Sequence, residues 1–361
     1  MRIGFLLDGF TGGGIARAVS IVGNRLQQSA SFDVFALAYS QNGKPDIYDI
    51  SFPCTYLYPR SVSLRKAIVK EKYLSNVFSF IKENRLDVII ACGVQFYPVA
   101  TFAARKCGIK SVCWEHTSPY QTEDFRLEGF SRRLGAKTSD CNVLLSRQGL
   151  DVYNEWFPRS HNVHIYNPLD PALEDRPAHY RADSRKIVSV GRLSVPKDFG
   201  RLLRLARAVF DEIPDWSWDI YGEGPMRGQL EATIRELNLQ ELVCLKGQVS
   251  DLYDRYGDYA FMVMTSKYEG FPMTLLEGAA CSLPLVAFDV ATGPKEIITD
   301  GKNGFICDPK DDAAMIDRIK RLIADPALRS AMSEQSRATV QGFHSDAVAE
   351  QWTQVLTALV R

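Results

Sequence analysis

The sequence predicts an α/β protein made of two tandem Rossmann-like, doubly wound domains, and three observations lead there. Its 361 residues suit about two domains at roughly 100–200 residues each. Short continuous apolar runs alternate with longer stretches of helical periodicity, as parallel strands covered by helices on both faces require. The alternation breaks at a Pro-, Asp- and Ala-rich segment, residues 166–183, and then starts afresh.

The elements follow in order. In the first half, a strand over 2–7 leads through Gly12-Gly13-Gly14 into a helix over 15–29. Strands are predicted at 32–39, 88–91, 111–114 and 141–145. Helices are predicted at 64–84, 99–106 and 146–156, the first from Ile68, Val69, Leu74, Val77, Phe78 and Ile81 at helical spacing. Asn167-Pro168, Pro171 and Pro177 mark the linker. In the second half, strands at 186–190, 218–221, 243–246, 261–264, 285–288 and 304–306 alternate with helices at 199–210, 226–237, 252–256, 274–281 and 294–299. The chain ends in helices at 313–325, 326–340 and 345–359. The domains are therefore 1–168 and 169–344. Ligands of doubly wound sheets sit at the carboxyl ends of strands, so an interdomain cleft is the expected active site.

Composition narrows the class. Hydrophobic residues make up 46% and charged residues 24%, ordinary for a soluble globular chain. The formal net charge is zero, yet residues 1–168 carry 20 Lys and Arg against 14 Asp and Glu, and the remainder carries 23 against 29. A basic first half suits an anionic surface or substrate, or is ordinary solvation. The eight cysteines form no CxxC pair and the five histidines are scattered. No cluster has zinc-ligand spacing, and the cysteines read as small buried residues of a reducing compartment. The start, MRIGFLLDGF, lacks a signal peptide's long apolar region. The longest uncharged stretch, 88–104, contains Gly93, Gln95 and Pro98 and is short for a span. These features predict a cytoplasmic chain without transmembrane helices.

Five motifs of the second half fall just after predicted strands. Gly191-Arg192-Leu193 with Lys197 puts a planar fork and a point charge at one strand mouth, a pair suited to a diphosphate. Tyr221-Gly222-Glu223-Gly224-Pro225 makes a tight turn into a helix, and Lys246-Gly247-Gln248 lets backbone approach a flat nucleobase. Glu269-Gly270-Phe271-Pro272-Met273-Thr274-Leu275-Leu276-Glu277 places two glutamates around a helix N-terminus, whose free N–H groups favour phosphate. One carboxylate can hold sugar hydroxyls and the other ribose hydroxyls. Glu277 lies in an otherwise apolar helix, where a charge is costly without a partner. Thr292-Gly293-Pro294-Lys295-Glu296 and Asp300-Gly301 with Asn303-Gly304 complete the set.

Taken in order, GRL…K, YGEGP, EGFPMTLLE, GPKEII and DGKNGF resemble the family 4 retaining glycosyltransferases of GT-B fold, densely over 186–340. The resemblance implies that the terminal helix, within 345–361, returns to the N-terminal domain. It makes Arg192 and Lys197 the pair that binds the donor diphosphate and stabilises the leaving group. It places Glu269 against the transferred sugar and Glu277 on the ribose. Gly270, Phe271, Met273, Thr274 and Leu275 become the loop that cups sugar and phosphate, and Gly247 a donor contact. It implies a metal-independent enzyme with a nucleotide sugar, UDP- by preference, as donor substrate and no cofactor. In the first half it brings Gly13 and Gly14 to the donor phosphates and His116 to the donor sugar, as a catalytic candidate. Arg17, Glu115 and Asn167 are weaker acceptor candidates.

Two basic stretches address the acceptor: Arg60, Arg65, Lys66, Lys70 and Lys72 among Val62, Leu64, Ile68 and Val69, and Arg126, Arg132, Arg133 and Lys137 among Phe125, Leu127, Phe130 and Leu134. Such stretches can lie on anionic membranes or meet lipid-linked phosphates. They suggest a hexose or N-acetylhexosamine transferred to a lipid-linked glycan in bacterial surface polysaccharide synthesis, at the inner face of the plasma membrane. The alternatives are a GT-B enzyme with a soluble acceptor and a non-catalytic sugar-nucleotide binder. No motif points to nucleic acid.

Overall fold

The computed structural model describes residues 1–361 except 42, 44, 59–71, 121–125 and 178 and the side chains of 126 and 127. The chain divides into two compact units. One comprises Met1–Pro168 with Phe343–Arg361, and the other comprises Leu169–Gly342.

The first unit is a seven-stranded parallel sheet. Its strands are β1 (Arg2–Leu7), β2 (Asp33–Ser40), β3 (Cys54–Tyr58), β4 (Val88–Cys92), β5 (Lys110–Glu115), β6 (Cys141–Leu144) and β7 (Asn162–His164). They lie in the order β3-β2-β1-β4-β5-β6-β7. The helices are α1 (Gly14–Gln28), α2 (Lys72–Glu83), α3 (Tyr97–Cys107), α4 (Arg126–Thr138) and α5 (Arg147–Trp156). The predicted helix over 64–84 appears as α2 in its described part, while 64–71 lie outside the described residues. Strands β3 and β7 were not anticipated. Both are short edge strands without a fully buried residue, so neither carries the continuous apolar run that marks a central parallel strand. The terminal helix, Ser345–Val360, belongs to this unit. Its Trp352 is fully buried, with its ring 4.6 Å from that of Trp114 on β5. At its start Ser345 Oγ accepts from Arg25 Nε of α1 at 3.0 Å.

The second unit runs α6 (Pro171–Glu174), β8 (Lys186–Val190), α7 (Phe199–Phe210), β9 (Ser217–Tyr221), α8 (Arg227–Glu236), β10 (Val243–Gly247) and α9 (Leu252–Arg255). It continues with β11 (Phe261–Met264), α10 (Met273–Ala280), β12 (Leu285–Phe288), α11 (Pro294–Ile297), β13 (Gly304–Cys307), α12 (Asp312–Ala324) and α13 (Pro326–Ala338). Its six parallel strands lie in the order β10-β9-β8-β11-β12-β13. Helix α7 illustrates why the pattern folds so. Asp198 caps it by accepting from the Arg201 N–H, and Phe199, Leu202, Leu203, Leu205, Ala206, Val209 and Phe210 form its buried stripe. The chain winds outward from β8 to β10, then crosses to β11 and winds the other way. The order therefore reverses between β8 and β11, where doubly wound sheets open a crevice at their carboxyl ends.

One expectation about cysteine needs correction. All eight thiols are free, but Cys244 is exposed and Cys54 and Cys107 are half-buried. Cys244 lies on β10, an edge strand whose alternate residues face outward. Among the described residues, no helix is long and apolar enough to cross a membrane.

Candidate active site

In the second unit, predicted site residues converge on the reversal between β8 and β11. Beyond β8 the chain passes Gly191, Arg192 and Leu193 and makes a short 3-10 turn over Val195–Lys197. Beyond β11 it passes Thr265 and Ser266 and reaches Glu269. The Lys197 ammonium donates to Glu269 Oε1 at 2.5 Å, with both side chains largely buried. An ammonium has three N–H donors. Glu269 takes one, and no other acceptor meets the Lys197 ammonium among the described residues. Two donors and part of the charge are thus available to an anionic group.

The backbone around this pair is tightly specified. The Lys197 stem lies over Gly191, where any Cβ would stand 3.4 Å from it. Gly222 has φ +136, and a Cβ there would fall 1.9 Å from the Gly191 carbonyl oxygen. At Gly224 a Cβ would fall 2.3 Å from the Leu193 carbonyl oxygen. Hydrogen bonds join the segments: Gly191 N–H to the Tyr221 carbonyl at 2.9 Å, Leu193 N–H to Glu223 at 3.0 Å and Met226 N–H to Leu193 at 3.1 Å. The YGEGP turn therefore extends the sheet and fixes the loop that carries Arg192 and Lys197.

Three further residues support the pair: Thr265, which was not singled out from sequence, and Thr292 and Gly293 of the fifth motif. Thr265 Oγ1 donates to the Lys197 carbonyl at 3.1 Å. The buried Thr292 hydroxyl donates to the Glu269 carbonyl. Gly293, at φ +102, lies against Pro272, where a Cβ would approach the ring to 2.5 Å. The segment after β12 thus clamps the glutamate loop. A threonine after a strand carries no sequence signal that distinguishes it from an ordinary loop residue.

The loop enters α10, whose first N–H groups belong to Met273, Thr274 and Leu275. The Met273 N–H is bonded to the Phe271 carbonyl at 3.0 Å and the Leu275 N–H to the Pro272 carbonyl at 3.0 Å. Glu277, one turn into α10, is buried, as are Leu275, Leu276, Gly278 and Ala279 of the same helix. Arg192 is exposed, and its guanidinium makes no bond among the described residues. Gly247, at φ +76, ends β10, two strands from β8. The motif at Asp300–Gly304 is structural. Asn303 is wholly buried, accepts from the Thr299 N–H at 2.7 Å and donates to the Ile297 carbonyl at 2.9 Å. A Cβ at Gly304 would fall 2.0 Å from the Leu285 carbonyl oxygen.

In the first unit, Gly13 and His116 share the carboxyl edge of the sheet, with β4 between their strands. Gly12 and Gly13 have φ +137 and +96, and a Cβ on Gly13 would meet no atom within 4 Å. This open backbone leads directly into α1, which begins at Gly14. The Arg17 guanidinium stacks 5.3 Å above the Tyr48 ring. Asn167 is buried, and its Oδ1 has no partner among the described residues.

His116 packs on the Trp114 ring at 4.4 Å, and its Nε2 is buried without a partner among the described residues. Burial pushes its pKa down to about 3, although the neighbouring Glu115 charge opposes the shift. The imidazole is therefore neutral at neutral pH. Glu115, by contrast, has a structural role. Its Oε1 accepts from the Thr117 N–H and hydroxyl at 3.0 and 2.6 Å, and its Oε2 accepts from Arg132 Nε and the Tyr153 hydroxyl, both at 2.7 Å. Burial alone would raise its pKa, but the Arg132 charge and these bonds hold it below the usual range. Two expectations change here. Glu115 spends both oxygens within its own unit, and Arg132 leaves the basic surface to become the buried half of this pair. Arg132 also reaches the Thr117 hydroxyl at 2.8 Å and the Ser118 and Pro119 carbonyls at 3.4 Å each, fixing the loop after His116.

Among the described residues, no group of three or more His, Cys, Asp or Glu side chains is arranged to hold a metal. A depression of about 590 Å³ around Arg185, Asp215 and Trp216 lies at the opposite, amino edge of the second sheet, away from these residues.

Comparison with known proteins agrees with this architecture. The model of the family described as glycosyl transferases group 1 matches residues 173–339. The chain is 26% identical over 291 residues to an uncharacterized glycosyltransferase of Haemophilus influenzae, covering 80% of this chain and 82% of that one. It is 25% identical over 364 residues to the amylovoran biosynthesis glycosyltransferase AmsD of Erwinia amylovora, covering 97% and 98%. Among solved structures, Anabaena HepE in complex with UDP-glucose superposes with a TM-score of 0.83 at 17% identity over 99% of this chain and 100% of that one. Sucrose-phosphate synthase from Thermosynechococcus elongatus superposes with a TM-score of 0.84 at 20% identity over 99% and 98%. With two parallel-sheet α/β units, this chain has the GT-B fold, and its second unit, over residues 173–339, matches the glycosyl transferases group 1.

Proposed function

We propose that this protein is a retaining transferase that moves a hexose or N-acetylhexosamine from a UDP-sugar to a glycan acceptor carried on a lipid, in bacterial surface polysaccharide synthesis. The reading rests first on the Lys197–Glu269 pair across the strand-order reversal. Lys197 and Arg192 bind the diphosphate and stabilise the charge that develops as nucleotide departs. Glu269 holds the transferred sugar, Gly270, Phe271, Met273, Thr274 and Leu275 cup sugar and phosphate, and Glu277 holds the ribose. Gly247 borders the base. Gly13 and Gly14 offer backbone to the donor phosphates, and neutral His116 offers a hydrogen bond to the donor sugar. Arg17 and Asn167 remain for the acceptor.

Transfer then proceeds on one face of the sugar. The acceptor oxygen bonds to the anomeric carbon as the bond to the donor phosphate breaks, and a donor phosphate oxygen takes the acceptor proton. The protein contributes positioning and electrostatic stabilisation, which two cations supply without a metal. The UDP preference is supported by HepE, solved with UDP-glucose bound. The polysaccharide role is supported by the near-full-length likeness to the amylovoran enzyme.

Screening UDP-, GDP- and ADP-sugars for donor hydrolysis tests the donor assignment, with turnover expected from a UDP-sugar and retained in EDTA. Lys197→Ala is expected to lower turnover about 10²–10³-fold, the scale of losing one preorganised transition-state donor. Turnover within twofold of the parent protein would remove the leaving-group role.

A further inference from the structure

The first unit carries an outer face that the donor chemistry does not use. Helices α3 and α4 pack against one another. Helix α3, YPVATFAARKC, contains no carboxylate. Its solvent side presents Phe102, Arg105 and Lys106. Phe102 is 47% exposed, its edge meets Phe78 of α2 at 6.3 Å, and the Lys106 ammonium stands 5.8 Å from its ring centre.

Helix α4 turns Arg132, Gly135 and Ala136 inward, toward Glu115, Tyr97 and the α5 side chains. Phe130, Arg133, Leu134 and Lys137 therefore form its outer stripe, at i, i+3, i+4 and i+7. Phe130 is 64% exposed and Leu134 38%. The only carboxylate of α4 is Glu128. Single exposed apolar residues need no explanation. Two phenylalanines and a leucine interleaved with four exposed cations, on neighbouring helices nearly free of acid, make a different pattern. A soluble anionic polymer would use the cations and leave the rings in water. A bilayer surface uses both, because apolar side chains enter the headgroup layer while cations meet lipid phosphates.

We propose that the outer face of α3 and α4 docks on an anionic phospholipid bilayer, with Phe102, Phe130 and Leu134 entering the headgroup layer and Arg105, Lys106, Arg133 and Lys137 meeting its phosphates. This deepens the lipid-linked part of the functional reading. Because the test below needs no turnover, its failure leaves the donor assignment standing.

The full chain is sedimented with phosphatidylcholine vesicles, with and without phosphatidylglycerol. It is expected to pellet with the anionic vesicles at low salt and to be released at about 0.5 M NaCl, where screening lengths are short. Arg133→Gln with Lys137→Gln is expected to lower the partition coefficient about 25-fold, roughly fivefold per cation. Phe102→Ser, Phe130→Ser and Leu134→Ser together are expected to lower it at least about tenfold, with donor hydrolysis and circular dichroism unchanged. Phe130→Ser alone, at the most exposed position, serves if the triple variant loses its fold. Absence of pelleting with anionic vesicles at low salt would overturn the proposal. So would serine variants that pellet like the parent protein, or a free polyphosphate that binds parent and serine variants equally and as tightly as vesicles do.

Discussion

Neutral His116 sets a specific expectation at the scale of single residues. An imidazole with a pKa near 3 stays neutral around neutrality, so it keeps one N–H to donate and one nitrogen to accept but cannot act as an imidazolium. Because burial lowers the pKa of this base, the neutral form of His116 persists down to about pH 3, and its ionisation falls outside pH 5 to 8. The kcat/KM profile over that range is therefore expected to lack an inflection near 6.5. An inflection there that disappears in His116→Gln would show that the residue titrates and would require a proton-transfer role. Residue-level legibility was uneven. Lys197, Glu269 and Glu277 could be singled out because charges at strand ends or inside an apolar helix are conspicuous in a sequence. Glu115 read as an acceptor candidate and Arg132 as a surface cation, because they lie 17 residues apart and only the fold makes them a pair. Thr265 was invisible for a related reason, since it acts on a backbone carbonyl and not through a charge, and Thr292, named within its motif, acts in the same way.

Among the elements, the turn after β9 fixes the loop that carries Arg192 and Lys197. In sequence YGEGP was a weak signal, indistinguishable from many strand-to-helix turns. In three dimensions Gly222 and Gly224 let that turn run alongside Gly191 and Leu193 as an extension of the sheet. Gly222 combines a left-handed φ with a contact that no Cβ can occupy. Gly222→Ala is therefore expected to destabilise the second unit by on the order of 3 kcal/mol, from strain and overpacking together. It should also displace the segment that holds Lys197. Urea unfolding with UDP-binding calorimetry checks both effects, and a stability within about 0.5 kcal/mol of the parent, inside ordinary surface scatter, would mean the turn is slack. The contrast with Gly13 is instructive. There, too, φ is positive, but a Cβ would meet nothing, so the constraint is conformational and the space above it is open to a ligand. The central strands were legible because each is buried on both faces and reads as an unbroken apolar run. The edge strands β3 and β7 were not, because an edge needs no such run.

Over the whole molecule, the terminal helix determines what one unit of this fold needs to be complete. The sequence ends in three successive helices, and nothing in their amphipathic patterns assigns the last to a particular sheet. Only the family resemblance did so. In the structure Trp352 supplies the assignment, since it is fully buried and meets Trp114 at the centre of the first unit. Trp114 in turn carries His116 on its ring, so the helix made last in the chain supports a residue of the first half. Trp352→Ala is expected to cost the first unit about 3–5 kcal/mol, the scale of removing a large aromatic from a packed core. Each unit has its own sheet and its own buried core. Hydrogen exchange followed by mass spectrometry should therefore show β1, β4 and β5 losing protection while β8, β11 and β12 keep theirs. Equal loss in both units would show that they unfold as one cooperative body. Unchanged protection in the first would show that its sheet is complete without the terminal helix.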